Sequence, residues 1–133
     1  EDFMFYEELS KELIGAFYRV HTKLGFGFLE RVYENALAIE LRKFNFAAEQ
    51  QIPIKVYYDD AIIGYYIADI IVNDLIILEL KAGESILPEH EAQLLNYLKA
   101  TDYEVGYILN FGKKATFKRK VFENERKHPR NSV

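Results

Sequence analysis

The 133-residue chain contains no cysteine, which excludes disulfides, thiolate metal sites and cysteine nucleophiles together. Serines are scarce: ahead of the C-terminal stretch only Ser10 and Ser85 occur, and neither has a nucleophile-elbow context. No glycine-rich phosphate loop is present. No pair among the three histidines has zinc-site spacing. Uncharged runs stop at eight residues, Ala61 to Ala68 being one, so no segment reads as a membrane span. Internal repeats, low-complexity segments and Pro/Gly/Ser-rich linkers are lacking as well. The chain opens Glu1-Asp2-Phe3, without a signal-peptide n-region or an initiator Met. The expectation is a cytoplasmic protein trimmed at its first residues.

What is there suits one domain with one core. The mass is 15.6 kDa, half the residues are hydrophobic, and ten Tyr and ten Phe are available for burial. Such a chain has the means to fold. A single domain over residues 1–122 and a basic tail over 123–133 are expected. The net charge of −4 hides an asymmetry: residues 1–110 carry −10 and residues 111–133 carry +6. Lys113, Lys114, Lys118, Arg119, Lys120, Arg126, Lys127 and Arg130 supply the positive stretch. It reads either as an electrostatic handle for phosphates or as a solvated terminus.

Leu9, Leu13, Phe17, Val20 and Leu24 recur at helical steps and predict a helix from about Glu7 to Lys23, stopped by Gly25 and Gly27. A second helix is predicted with Leu29, Tyr33, Ala36, Leu37, Leu41 and Phe44 along its packing face. Strands are predicted over Gln51–Tyr58, Ala61–Val72 and Leu75–Lys81, with turns at Asp59-Asp60 and Asn73-Asp74. Pro88, Glu89 and Glu91 mark the start of a helix running to about Lys99. Strands over Val105–Asn110 and Ala115–Phe122 close the order α-α-β-β-β-α-β-β, an α/β or α+β chain with a mixed sheet.

Chemistry concentrates at Asp69 and at Glu79-Leu80-Lys81. Strand alternation puts Glu79 and Lys81 on one side, and the Asn73-Asp74 turn brings Asp69 back toward Glu79. Charges on a sheet surface among Ile and Leu must be paired or bound to a metal. Carboxylates with water are what Mg²⁺ or Mn²⁺ prefers, and a lysine beside the metal can hold a water aimed at phosphorus. A solvent-facing ion pair at strand ends is the plainer reading. Glu30 shares the expected inward face of the second helix with Tyr33, although it also suits the N3 position of a helix capped by Gly27. His90, Gln93 and Tyr97 line one face of the third helix, either toward the carboxylates or as an amphipathic boundary. His21 reads as a core or boundary histidine and His128 as solvated.

Val20-His21, Leu24-Gly25, Gly27-Phe28, Glu30 and Tyr33 resemble the signature of the GxxExxY proteins. Ala68-Asp69, Glu79-Leu80-Lys81, His90, Gln93, Tyr97 and Asn110-Phe111-Gly112 are similar to that family downstream. The family is grouped with the PD-(D/E)XK nucleases, whose restriction-endonuclease-like core, α-β-β-β-α-β, agrees with the predicted order once the first helix is an addition. The resemblance implies a Mg²⁺- or Mn²⁺-dependent nuclease acting on DNA. Asp69, Glu79 and Glu30 would be metal ligands, the Leu80 carbonyl a further one, and Lys81 would position the attacking water. Gln93 and Tyr97 resemble a Q-x-x-x-Y motif that supports the site or touches the nucleic acid. Ala68 stands where the superfamily name has Pro. A homodimer and a non-catalytic binding or assembly module are the other expectations.

Overall fold

The structure, a computed structural model, describes residues 3–127, with side chains described from Tyr6 onward. His128, Arg130 and the rest of the expected tail beyond Lys127 lie outside the described residues. Helix α1 spans Phe3–Leu24 and α2 spans Glu30–Lys43. Three strands follow, β1 (Ala48–Tyr58), β2 (Ala61–Val72) and β3 (Ile76–Lys81). After them come α3 (Pro88–Ala100), β4 (Val105–Phe111), β5 (Ala115–Val121) and a short 3₁₀ turn, Asn124–Arg126. The predicted order of helices and strands is the observed one, and the class is a mixed α+β fold.

The five strands stand side by side in chain order, β1-β2-β3-β4-β5. All neighbours are antiparallel except β3 and β4, which are parallel because α3 carries the chain back across the sheet. Strand β4 is buried along its whole length, as a central strand covered on both faces should be. The β2–β3 turn follows from its residues. Asn73 and Asp74 both adopt φ of 53°, and Leu75 N–H closes the turn on the Val72 carbonyl at 2.9 Å. That is the primed turn that Asn and Asp tolerate.

Each sheet face has its own core. Leu13, Phe17, Tyr33, Leu37 and Leu41 from α1 and α2 pack on Ile70, Ile76, Leu78, Leu80 and Leu109. On the other face Leu94 and Leu98 of α3 pack on Ala68, Ile71, Ile77 and Ile108. Gly106 is needed there, since a Cβ would stand 2.9 Å from the Leu94 side chain.

Two ends of the predicted packing face of α2 are corrected. Leu29 and Phe44 are exposed, because they flank α2 as its two cap residues rather than lie on its buried face, and Phe44 is covered only by the Arg19 guanidinium, 4.3 Å from its ring centre. The expected tail boundary is also crossed by packing. Lys127 Nζ donates to the Thr101 and Tyr103 carbonyls at 2.8 Å each, and Asn124 N–H donates to Glu104. Residues 124–127 therefore clasp the end of α3 and its following turn, and burial pulls the Lys127 ammonium down to about 8.

Candidate functional site

The ladder between β2 and β3 ends at the Ile70–Leu78 pair. Beyond it the strands splay, and their carboxylates reach across. Asp69 Oδ2 accepts from the Leu80 backbone N–H at 2.8 Å. The Asp69 backbone N–H in turn supports the Glu79 carboxylate. Each acid thus satisfies the backbone that the missing ladder leaves open.

The surroundings of the two acids differ. Asp69 lines a cavity of about 270 Å³ with Glu30, Arg31, Glu34, Gln51 and Leu80, below the start of α2. Glu79 projects toward the α3 side, where it accepts a hydrogen bond from the Tyr66 hydroxyl. Tyr66 stacks on Tyr97 of α3, ring centroids 3.9 Å apart and planes 11° apart. Burial raises the pKa of both acids, that of Glu79 to about 7. Glu34 pushes both upward and Lys81 pulls both downward. The two sides of the splay form one electrostatic system.

Glu30 is exposed at the first position of α2, with Leu29 rather than Gly27 preceding the helix and no side-chain cap. Its expected inward placement is corrected, because the helix turns its next acid in instead. Glu34 is only 3% exposed. It accepts from Gln50 and Gln51 at 2.8 Å each and pairs with Arg31 at 3.3 Å. Gln51 also reaches Asp69 at 3.4 Å. It can do so because its backbone turns left-handed, φ 54°, between the Gln50–Ile70 and Ile52–Ala68 pairs. A non-glycine residue in that conformation inside a strand carries strain of roughly 1 kcal/mol or more.

Glu34, Gln51 and Tyr66 are the site residues missed in the sequence. The spacing of Glu34, one turn after Glu30, was a usable signal. Gln51 gave none, since nothing local marks a left-handed glutamine. On α3, His90 turns back to its own helix: its Nδ1 accepts from Leu87 N–H at 3.1 Å and caps the first turn. Gln93 is exposed in a shallow groove with Val56, Glu89, Asn96 and Tyr97, so α3 reaches Glu79 through Tyr97 and Tyr66 rather than through His90. His21 is a boundary histidine, bonded through Nε2 to the Gly112 carbonyl at 2.7 Å.

A family model described as the PD-(D/E)XK nuclease superfamily matches residues 7–121. The chain belongs to the PD-(D/E)XK nuclease superfamily. No curated protein matches the sequence. Among solved structures, the crystal structure of SSO0001 is similar over 92% of this chain, at 24% identity and a TM-score of 0.54. The chain spans 63% of the length of that protein, and the likeness is one of fold. The five-stranded mixed sheet flanked by helices is consistent with the restriction-endonuclease-like fold of the superfamily.

Superfamily nucleases typically use divalent metal ions. Asp69, Glu79 and Glu30 offer hard oxygen donors of the kind Mg²⁺ and Mn²⁺ take. Among the described residues no group of three or more Asp, Glu or His side chains is drawn together as a cage. No described helix is long and apolar enough to cross a membrane.

Proposed function

We propose that this domain is a metal-dependent nuclease of the GxxExxY branch that hydrolyses DNA phosphodiester bonds. The observation that carries the reading is the crossing of Asp69 and Glu79 where β2 and β3 splay, with Lys81 acting on both. Asp69 and Glu79, with Glu30 at the cavity mouth, would hold Mg²⁺ or Mn²⁺. When bound, the ion supplies charge neutralisation at the phosphate and acidifies a water.

The chain's own residues do the rest. Lys81 holds the attacking water on the side of Glu79, two residues along the same strand. Gln51, itself held by Glu34, steadies the Asp69 carboxylate from the other side. Tyr66, braced by Tyr97, fixes Glu79. Gln93 touches the nucleic acid from the α3 groove. A cytoplasmic home goes with this activity.

The test is cleavage of single- and double-stranded DNA by purified protein with Mg²⁺ or Mn²⁺, beside Lys81→Ala. Cleavage by the wild type alone supports the reading. DNA binding with no cleavage under either ion overturns it in favour of a non-catalytic binding or assembly module. That alternative is favoured by the exposure of Glu30 and Gln93, with Gln93 in a groove apart from the Asp69 cavity. A homodimer is part of the proposal, supported by the outward face of the β1–β2 hairpin, where Ile63, Tyr65 and Ile67 are exposed. Light scattering at working concentration reads it directly.

A further inference from the structure

A second cavity, of about 680 Å³, opens past the carboxyl ends of β3 and β4. It begins at Ala82 and Gly83, directly after Lys81, and includes Gly27, three residues before Glu30. It therefore adjoins the carboxylate site without sharing its lining. Its size falls within the roughly 300–1,000 Å³ of small-molecule sites.

The floor of this cavity is fixed. Asn110 is fully buried and clamps Gly83, accepting from its N–H and donating to its carbonyl at 3.0 Å each. Gly112 allows the two loops to close, since a Cβ there would stand 2.5 Å from the Gly83 carbonyl oxygen. His21 holds the Gly112 carbonyl, and the Phe111 ring is buried and stacked on Tyr33 at 4.3 Å. The mouth is different. Phe26 is 58% exposed, held out between Gly25 and Gly27, both at positive φ. Lys113 Nζ stands 5.8 Å from the centre of its ring, and Lys114 lines the same wall. Glu84 and Thr116 complete the rim.

An exposed ring with no core to fill, one ammonium beside that ring, a second on the same wall and a rigid floor match one ligand chemistry: a planar base beside a phosphate. We infer that this cavity is a subsite for one unpaired nucleotide of the substrate strand. Its base stacks on Phe26, its phosphate is held by Lys113 and Lys114, and Glu84 and Thr116 face the base edge. A carboxylate there suits an exocyclic amino group. Bases of an intact duplex are stacked on their neighbours and cannot enter without being flipped out, so the subsite favours single-stranded or frayed DNA. The inference rests on the nuclease reading for its substrate, though not for its test.

The test is fluorescence anisotropy in EDTA, where no cleavage occurs, with a 12-nucleotide single strand and a hairpin duplex of the same composition. Phe26→Ala should weaken single-strand binding about tenfold, the scale of one lost base stack, and leave duplex binding within about twofold. Phe26→Trp should retain the wild-type affinity. Lys113→Ala with Lys114→Ala should flatten the salt dependence by roughly one counterion per lost contact. An abasic site walked along the strand should reproduce the tenfold loss at one position in the wild type and have no effect in Phe26→Ala. The subsite is wrong if Phe26→Ala binds like wild type, if it loses both DNA forms equally, or if the wild type ignores single strands. Failure of the nuclease reading looks different: no cleavage with any ion, while the Phe26 pattern persists.

Discussion

Two groups of charge flank the carboxyl end of β3, and they are held in opposite ways. On one side Asp69, Glu79 and Glu34 are withdrawn from water and tied by Leu80 N–H, Tyr66, Gln50, Gln51 and Arg31. On the other, Lys113, Lys114 and Lys118 stand in solvent. The acids are built for a fixed geometry at the cost of an unfavourable charge; the lysines keep rotamer freedom and adapt to a long partner. Not all of the basic stretch is free, however. Lys120 pairs with Glu91 at 2.8 Å, Arg119 donates to Tyr107, and Arg126 lies over Phe122 at 4.3 Å.

The largest effect separating the two groups should come from Lys81→Ala. It should lower the cleavage rate by roughly 10²–10⁴-fold and leave DNA affinity within about twofold, read from single-turnover cleavage and anisotropy. Wild-type cleavage by this variant would remove Lys81 from the site.

Next comes the titration of Glu79. Its carboxyl ionises near pH 7 in the fold and near its ordinary 4.5 when unfolded. Between those values the folded protein keeps a proton that the unfolded chain has lost, so stability falls as pH rises through that window. The penalty is absent below about pH 4.5 and complete above about pH 7, at most about 3 kcal/mol. Glu79→Gln should accordingly raise the melting temperature at pH 8 in EDTA and give no gain at pH 4. Mg²⁺ should stabilise the wild type more than this variant. Equal gains at both pH values would mean that burial of this acid carries no electrostatic penalty.

A smaller effect is expected on the basic side. Neutralising Lys118, Arg119 and Lys120 together should weaken DNA binding and reduce its salt slope by roughly one per lost contact. The rate at saturating DNA should be unchanged, since such contacts bind ground and transition states alike. A fall in the saturated rate would place these residues nearer the chemistry than the sheet edge suggests. Smallest of all, Glu91→Gln breaks a partly exposed pair with Lys120. Exposed pairs contribute little, and the melting temperature should stay within the scatter of replicate melts.

Most of this architecture was legible because local rules and tertiary packing agree. The Asn73-Asp74 turn, the apolar β3 and the Pro88 helix start each carry a signal within a few residues. Legibility failed where a residue's role depends on distant neighbours. Leu29 and Phe44 keep the helical stripe, yet Leu29 stays exposed and Phe44 is met by the Arg19 guanidinium rather than by an apolar core, because periodicity does not say where a partner helix ends. Glu30 and Glu34 are near neighbours on one helix surface, and only the position of β1 decides which is buried. His90 could equally have faced the site; the free N–H groups at its own helix start claimed it.

The sequential order of the sheet has a kinetic consequence. Neighbouring strands are neighbours in the chain, so three of the four ladders close over short turns, and only the parallel β3–β4 pair waits for a crossover. Short closures cost little entropy and form early. The β2–β3 hairpin therefore brings Asp69 toward Glu79 while both are still hydrated. Their desolvation falls on the later docking of α2 and α3. That docking step, rather than hairpin formation, should slow as pH rises from 5 to 8, and stopped-flow refolding of the wild type beside Glu79→Gln would reveal the difference in a single phase.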